Sequence, residues 1–323
     1  MIYFLIRRIF WAIWLFLVAT LITYVIFFLI SSDPLRFTGF GLNASPALVA
    51  EVRRELHLDV PTYQQYWIFL WNIIRHQSLG YSFQNGASVR WIIAQDAPVT
   101  ASIVLGGAFF WMLISIPVGI MSALRPRSLF DRFSMVFVLI GISASPIWLG
   151  LMLDYVFSFK LGWTPLADYC NLTPHSGGEC SGLFRWAYHL ILPWASFSFL
   201  FAALYVRLIR ASMLEVMNED YIRTAWAKGA SARRVVVHHI LRNSMLPVIT
   251  LLGLNIAYML GTVVFIERVF NLPGLGVEML NAAYRSDVPV VVGIVVFITL
   301  TVIIANFVVD VAYAFLDPRI RLE

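Results

Sequence analysis

Residues 211–247 read ASMLEVMNEDYIRTAWAKGASARRVVVHHILRNSMLP, a charged stretch set between two apolar runs. The run before it covers about 187–206 and the run after it about 246–266. Each is long enough to cross a hydrocarbon core as a helix. The connector between them, residues 207–245, is longer than a compact membrane protein needs, and such length goes with function or with structure of its own. Glu219 and Asp220 open a segment of helix formers that runs to Lys228, and Gly229 ends it as a C-cap does. Val235, Val236, His239 and Ile240 then share one side of a second helical stretch that leads into the next apolar run. The pattern predicts a short charged helix lying across the ends of a helical bundle.

Working outward, four more apolar runs appear, at about 9–30, 99–124, 133–159 and 288–316. With the two beside the connector they predict an all-α polytopic membrane protein of about six transmembrane helices. Composition agrees: of 323 residues, 60% are hydrophobic and 13% charged, where soluble proteins carry about 25%. The first run follows Arg7 and Arg8, and its 22 residues exceed a signal peptide's apolar region, so it reads as a retained helix. Asp154 and Asp310 are the acids within the runs, both near helix ends, where interfacial placement accounts for them more simply than a polar path.

Orientation follows from Lys and Arg in the short flanks. With a cytoplasmic N-terminus, fourteen of these residues fall inside and four in the short outside loops. Both termini are then cytoplasmic. The net charge of +5 comes from such loops, which argues against a nucleic-acid partner. The expected organisation is a first span at 1–30, an extracytoplasmic segment at 31–97, a five-helix core at 98–316 that contains the connector 207–245, and a cytoplasmic tail at 317–323. Within 31–97, Ser45 and Pro46 start one helix. A second is predicted over 62–76, with an apolar side wide enough for the membrane surface or the other helices. Cys170 and Cys180 lie ten positions apart in one outside loop and are expected to form a disulfide, two free thiols being the alternative.

The connector resembles the EAA loop of the membrane subunits of ABC importers, above all the dipeptide and oligopeptide branch. Glu219, Asp220, Tyr221, Arg223, Thr224, Ala225, Ala227, Lys228 and Gly229 match its arrangement, followed by Leu241, Arg242, Asn243, Leu246 and Pro247. Arg223-Thr224-Ala225 stands where the general motif has Glu-Ala-Ala, and Pro247 stands 18 residues after Gly229. Both departures fit the peptide branch better than sugar importers. Leu58-Asp59-Val60-Pro61, Tyr63-Gln64-Gln65-Tyr66, the Pro146 to Gly150 break, Pro273-Gly274-Leu275-Gly276 and the tail from Asp317 extend the resemblance along the chain.

The resemblance implies a type I importer permease: half of a translocation path for peptides, paired with a second homologous permease, two ATPase subunits and an extracytoplasmic binding protein. It implies that Glu219, Asp220, Tyr221, Arg223, Thr224, Ala225, Lys228 and Gly229 form the ATPase-coupling helix, with Tyr221 as aromatic anchor. Pro273, Gly274 and Gly276 are implied as an outer turn or gate, a tight glycine turn being the plainer reading. Pro146 reads equally as a hinge or a tolerated kink.

The chain has no Gly-Lys-Ser/Thr phosphate loop, so ATP and Mg are expected on partner subunits and no cofactor on this chain. No catalytic constellation is present, and His238-His239 point apart on a helix, so no metal site is expected. A basic loop resting on anionic lipid, a secondary transporter and an intramembrane enzyme are the competing readings. The ordered motif disfavours the first. Missing internal symmetry and missing paired acids disfavour the others.

Overall fold

In the computed structural model, residues 2–26, 60–76, 78–172 and 180–316 are described. The Ser45–Pro46 start and the tail from Asp317 lie outside them. Among the described residues, five helices are long and apolar enough to cross a membrane, or six if one bent pair counts as a single span.

Two compact units divide the chain: 1–99 with 273–304, and 100–272 with 305–323. The first holds α1 (Ile2–Tyr24), α2 (Thr62–His76), the start of α3 (Val89–Leu124), α9 (Leu275–Tyr284) and most of α10 (Val288–Leu316). Its core joins Val89, Ile92 and Ile93 of α3 to Leu275 and Ala282 of α9 and to Val290, Val291 and Ile294 of α10. Gly293 permits that approach, since a Cβ there would stand 2.4 Å from Val89 Cγ1. Asp287, buried just before α10, accepts hydrogen bonds from the Ser82 hydroxyl and from the Phe83 amide at 3.1 Å.

The second unit holds the rest of α3, then α4 (Leu129–Ser143), α5 (Pro146–Lys160), α6 (Leu183–Met217), α7 (Asp220–Ala227) and α8 (Ala232–Val269). α6 is its most enclosed span. Trp111 of α3 stacks on Phe201 of α6 at 4.7 Å between ring centroids and leans on Tyr205 at 5.7 Å. Tyr205 accepts a 2.9 Å hydrogen bond from the Asn255 amide of α8, which satisfies both polar groups inside the bundle. Glycine again sets spacing: a Cβ at Gly141 would lie 2.4 Å from that of Ala203.

The structure departs from the apolar runs at three places. The run at 133–159 is not one helix: α4 and α5 meet at 101° across Ala144 and Ser145. Pro146 lacks an N–H and pushes Ser145 out of the helical region, to φ −70° and ψ 129°. The element is therefore a break, beyond a kink. α3 begins at Val89, so residues 89–97, grouped by sequence with the segment 31–97, are continuous with a span. α6 runs to Met217, which makes Arg207 and Arg210 helical. At 35 residues it is about 52 Å long and exceeds a bilayer core by several turns.

Asp154 is half-buried. Its Oδ1 is enclosed by protein and has no hydrogen-bond partner. The Asp310 side chain lies outside the described residues.

The candidate coupling bracket

Arg210 stands two turns before the end of α6. Its Nε and Nη2 donate to the two carboxylate oxygens of Asp131 at 2.6 and 2.8 Å. Asp131, in the first turn of α4, also accepts from the Ser122 hydroxyl and from the Arg127 amide at 2.8 Å. Arg127 adopts φ 63°, which aims its N–H at the carboxylate. The turn between α3 and α4 is thereby clamped to the stem of α6.

Beyond the stem, Asn218 and Glu219 turn the chain, and α7 follows from Asp220 to Ala227. Gly229 ends it with φ +76°, the left-handed conformation that suits glycine. A Cβ at Gly229 would meet nothing within 4 Å, so only its backbone asks for glycine. α8 then starts at Ala232 and includes a π-helical segment, Val235–Leu241. Single π turns inside helices are frequent at functional sites.

Three features hold the connector together. Ile222 is buried, as are Val235 and Ile240 of α8 and Ile209 and Met213 of α6. The Ser212 hydroxyl donates to the Ser244 carbonyl at 3.0 Å, joining α6 to α8. The Asn243 amide donates to the Tyr221 hydroxyl at 2.7 Å, joining α8 to α7. Stem, short helix and following span form one bracket.

The opposite face of α7 is bare. Glu219, Asp220, Arg223, Thr224, Lys228 and Gly229 are exposed, Ala225 is half-buried, and Tyr221 presents part of its ring. Arg223 and Asp220 approach to 3.5 Å on that face, where a water-exposed pair adds little stability. Trp226, which lies outside the residues matched to the motif, is 48% exposed there. Its signal was legible: a large ring on an otherwise polar short helix. Asn243 belongs to the sequence motif, but nothing in a linear sequence tells which side chain it reaches.

The remaining candidates belong to other elements. Pro273 is exposed, while Gly274 and Gly276 are buried. Gly274 is the N-cap of α9 with φ −111°, and the left-handed residue nearby is Asn271, at φ 49°. The four residues thus open a helix, and the tight-turn reading that relied on glycine freedom does not apply. Glu278 in the first turn of α9 has its carboxyl raised above the ordinary range by burial, an effect that Arg285 opposes and Asp287 reinforces.

Cys170 and Cys180 are joined by a disulfide. With His189 they form the one grouping of potential metal-ligand atoms among the described residues, within 4.8 Å of one another, and the disulfide occupies both sulfurs.

A family model described as binding-protein-dependent transport system inner membrane component matches residues 115–322, and the N-terminal model of the same systems matches 1–104. A Brucella suis biovar 1 protein named as a peptide permease is 38% identical over 308 residues, covering 95% of each chain. The dipeptide transport system permease protein of Escherichia coli (strain K12) is 34% identical over 337 residues, covering 99% of each. An inward-facing structure of the MetNI methionine ABC transporter aligns at TM-score 0.55 and 16% identity, over 71% of this chain and 97% of that one. That likeness concerns the fold. With several apolar spans in a permease fold, the chain is a multi-pass membrane protein and belongs to the family of inner membrane components of binding-protein-dependent transport systems, the permease subunits of ABC importers.

Proposed function

We propose that this chain forms half of the translocation path of an ATP-driven importer for peptides of the dipeptide and oligopeptide class. The observation that carries the reading is the bracket: α7 buries Ile222 and is tied through Tyr221 to α8, which is tied in turn to α6, while its polar, aromatic-tipped side is bare. Such a face suits a cleft in an ATPase subunit. Relatives named as peptide and dipeptide permeases support the substrate class.

On this reading the partners are a second homologous permease, two ATPase subunits and an extracytoplasmic binding protein. ATP and Mg belong to the ATPases, and this chain catalyses no reaction. Closure of the ATPases pushes on α7, and the bracket passes the displacement to the spans α6 and α8. Nucleotide shifts the transporter between outward-open and inward-open states only by its differential affinity for them. Both termini lie in the cytoplasm, with the α2, disulfide-loop and α9 ends outside.

The test is uptake of labelled dipeptide by the reconstituted complex. ATP-dependent uptake that is lost when the ATPase subunits are omitted supports the reading. Uptake driven by an ion gradient alone would replace it with a secondary transporter. Impermeant labelling of Asn85→Cys from the outside only is expected, and labelling from the cytoplasm would reverse the topology.

A further inference from the structure

α2 carries a stripe that the fold leaves uncovered. Gln64, Trp67, Trp71 and Arg75 are exposed and follow one another at spacings of three and four residues. Trp67 and Trp71 are 65% and 55% exposed. The other side of the helix is packed: Leu70 is buried, and Phe69 and Ile73 rest on Val288, Val292 and Val296 of α10. A helix facing water carries mostly charged and polar side chains on its outer face. Here the outer stripe offers two indoles, one amide and one guanidinium, and α2 contains no acid. The Arg75 guanidinium stands 5.3 Å from the centre of the Trp71 ring.

Contacts with α1 set the depth of α2. Leu17, Thr20 and Tyr24 share a face of α1. The Tyr66 hydroxyl donates to the Leu17 carbonyl at 3.0 Å and lies 3.1 Å from the Thr20 hydroxyl. The Tyr24 hydroxyl donates to Gln65 Oε1 at 2.8 Å, and Gln65 Nε2 donates to the Val60 carbonyl at 2.7 Å. These bonds lie along the last two turns of α1, about 10 Å of helix. α1 is itself a candidate span with a bare apolar surface that includes Phe10, Ile13, Trp14, Leu21 and Ile22. The polar tips between α1 and α2 are paired inside the protein, as they must be where water is scarce.

We propose that α2 is an interfacial helix, seated at the headgroup–acyl boundary of the leaflet that meets the C-terminal end of α1. Its uncovered stripe continues the lipid-facing surface of α1. Trp67 and Trp71 lie in the boundary, where an indole keeps its ring among acyl chains and its N–H toward polar groups. Arg75 reaches phospholipid phosphate, which its planar fork binds in a bidentate way. The arrangement anchors α2, and through Phe69 and Ile73 the start of α10, at a fixed depth. It goes beyond the peptide-import reading and does not depend on it.

The test places a nitroxide at Trp71→Cys in the full chain, reconstituted in phosphatidylcholine–phosphatidylglycerol liposomes. Collision with oxygen, which concentrates in lipid, is compared with collision with a water-soluble nickel chelate. Ile13→Cys on α1 serves as the lipid reference and Asn85→Cys as the water reference, with unsubstituted protein reporting background labelling. The expected oxygen-to-nickel ratio falls between the two references and on the oxygen side of their midpoint. A ratio equal to that of Asn85→Cys would put the stripe in water and overturn the proposal. An immobile label shielded from both agents would overturn it too, since the stripe would then be covered by protein, whether residues 27–59 or a partner. If Trp71→Cys does not fold, Trp67→Cys gives the same comparison.

Discussion

The side-chain amide of Asn243 donates a 2.7 Å hydrogen bond to the hydroxyl of Tyr221, and so α8, about three turns from its start, holds the first turn of α7. Tyr221 therefore faces two ways: its hydroxyl is engaged within the chain and part of its ring is bare. Substitutions that separate ring from hydroxyl separate the two tasks. Tyr221→Phe keeps the ring and loses the bond. We expect it to leave ATPase co-purification unchanged and to lower peptide uptake roughly five-fold, as about 1 kcal/mol of hydrogen bonding would. Asn243→Leu should do the same, and the double variant should be no worse than either single one. Loss of co-purification in Tyr221→Phe would show instead that the hydroxyl serves the partner.

Gly229 tests the end of α7. Its φ of +76° costs a side chain about 1 kcal/mol, with no clash added, because nothing lies within 4 Å of the Cβ. Gly229→Ala should lower the thermal stability of the isolated permease only slightly. Gly229→Asp should sharply reduce recovery of ATPase subunits in a pull-down, since an acid is placed on the bare face. Equal recovery with the parent would remove Gly229 from the interface.

Asp131 and Arg210 predict a stability effect. Asp131→Ala leaves a half-buried guanidinium with no carboxylate, at a cost of about 1–3 kcal/mol. The expected outcome is a lower melting temperature in detergent. Arg210→Lys keeps the charge but loses the two-pronged geometry and should fall between. Parent-like melting of Asp131→Ala would mean that the clamp is dispensable.

The loop bearing Cys170 and Cys180 predicts a redox result. Unreduced protein should show neither thiol alkylated by mass spectrometry, and both alkylated after reduction. Replacing the pair with alanine should destabilise the loop by roughly 2–3 kcal/mol. Its readout is faster proteolysis at residues 161–182. Two free thiols in unreduced protein would refute the bridge.

Asp287 predicts local release. Asp287→Ala strands the buried Ser82 hydroxyl and the Phe83 amide, at a cost of about 1–3 kcal/mol for each unsatisfied donor. Amide exchange in residues 82–88 should quicken while exchange in α6 stays unchanged. Uniform quickening across both would show a global effect and not a local pin.

Much of this arrangement was legible in the linear chain. Long apolar runs announce spans because the hydrocarbon core tolerates little else, and helix α2 over 62–76 and the Gly229 stop follow from periodicity and backbone chemistry. The start of α3 and the end of α6 were not legible, because past the bilayer a helix continues through polar residues that a hydrophobic pattern does not register. Arg207 and Arg210 read as loop cations for that reason.

What the sequence determined by itself is the membrane class, the family, and the place and length of the short charged helix. Each depends on local composition or on the order of motifs, which a chain carries before it folds. Only the tertiary structure decided that Pro146 breaks the third run at 101°, and that Asp131 meets Arg210 from 79 positions away. The same holds for the task of Tyr221, shared with Asn243. A proline kink becomes a break, and a loop arginine becomes a clamp on a buried carboxylate, only when neighbouring helices fill the space and supply the partners. Those neighbours are chosen by packing, which no single stretch of sequence contains.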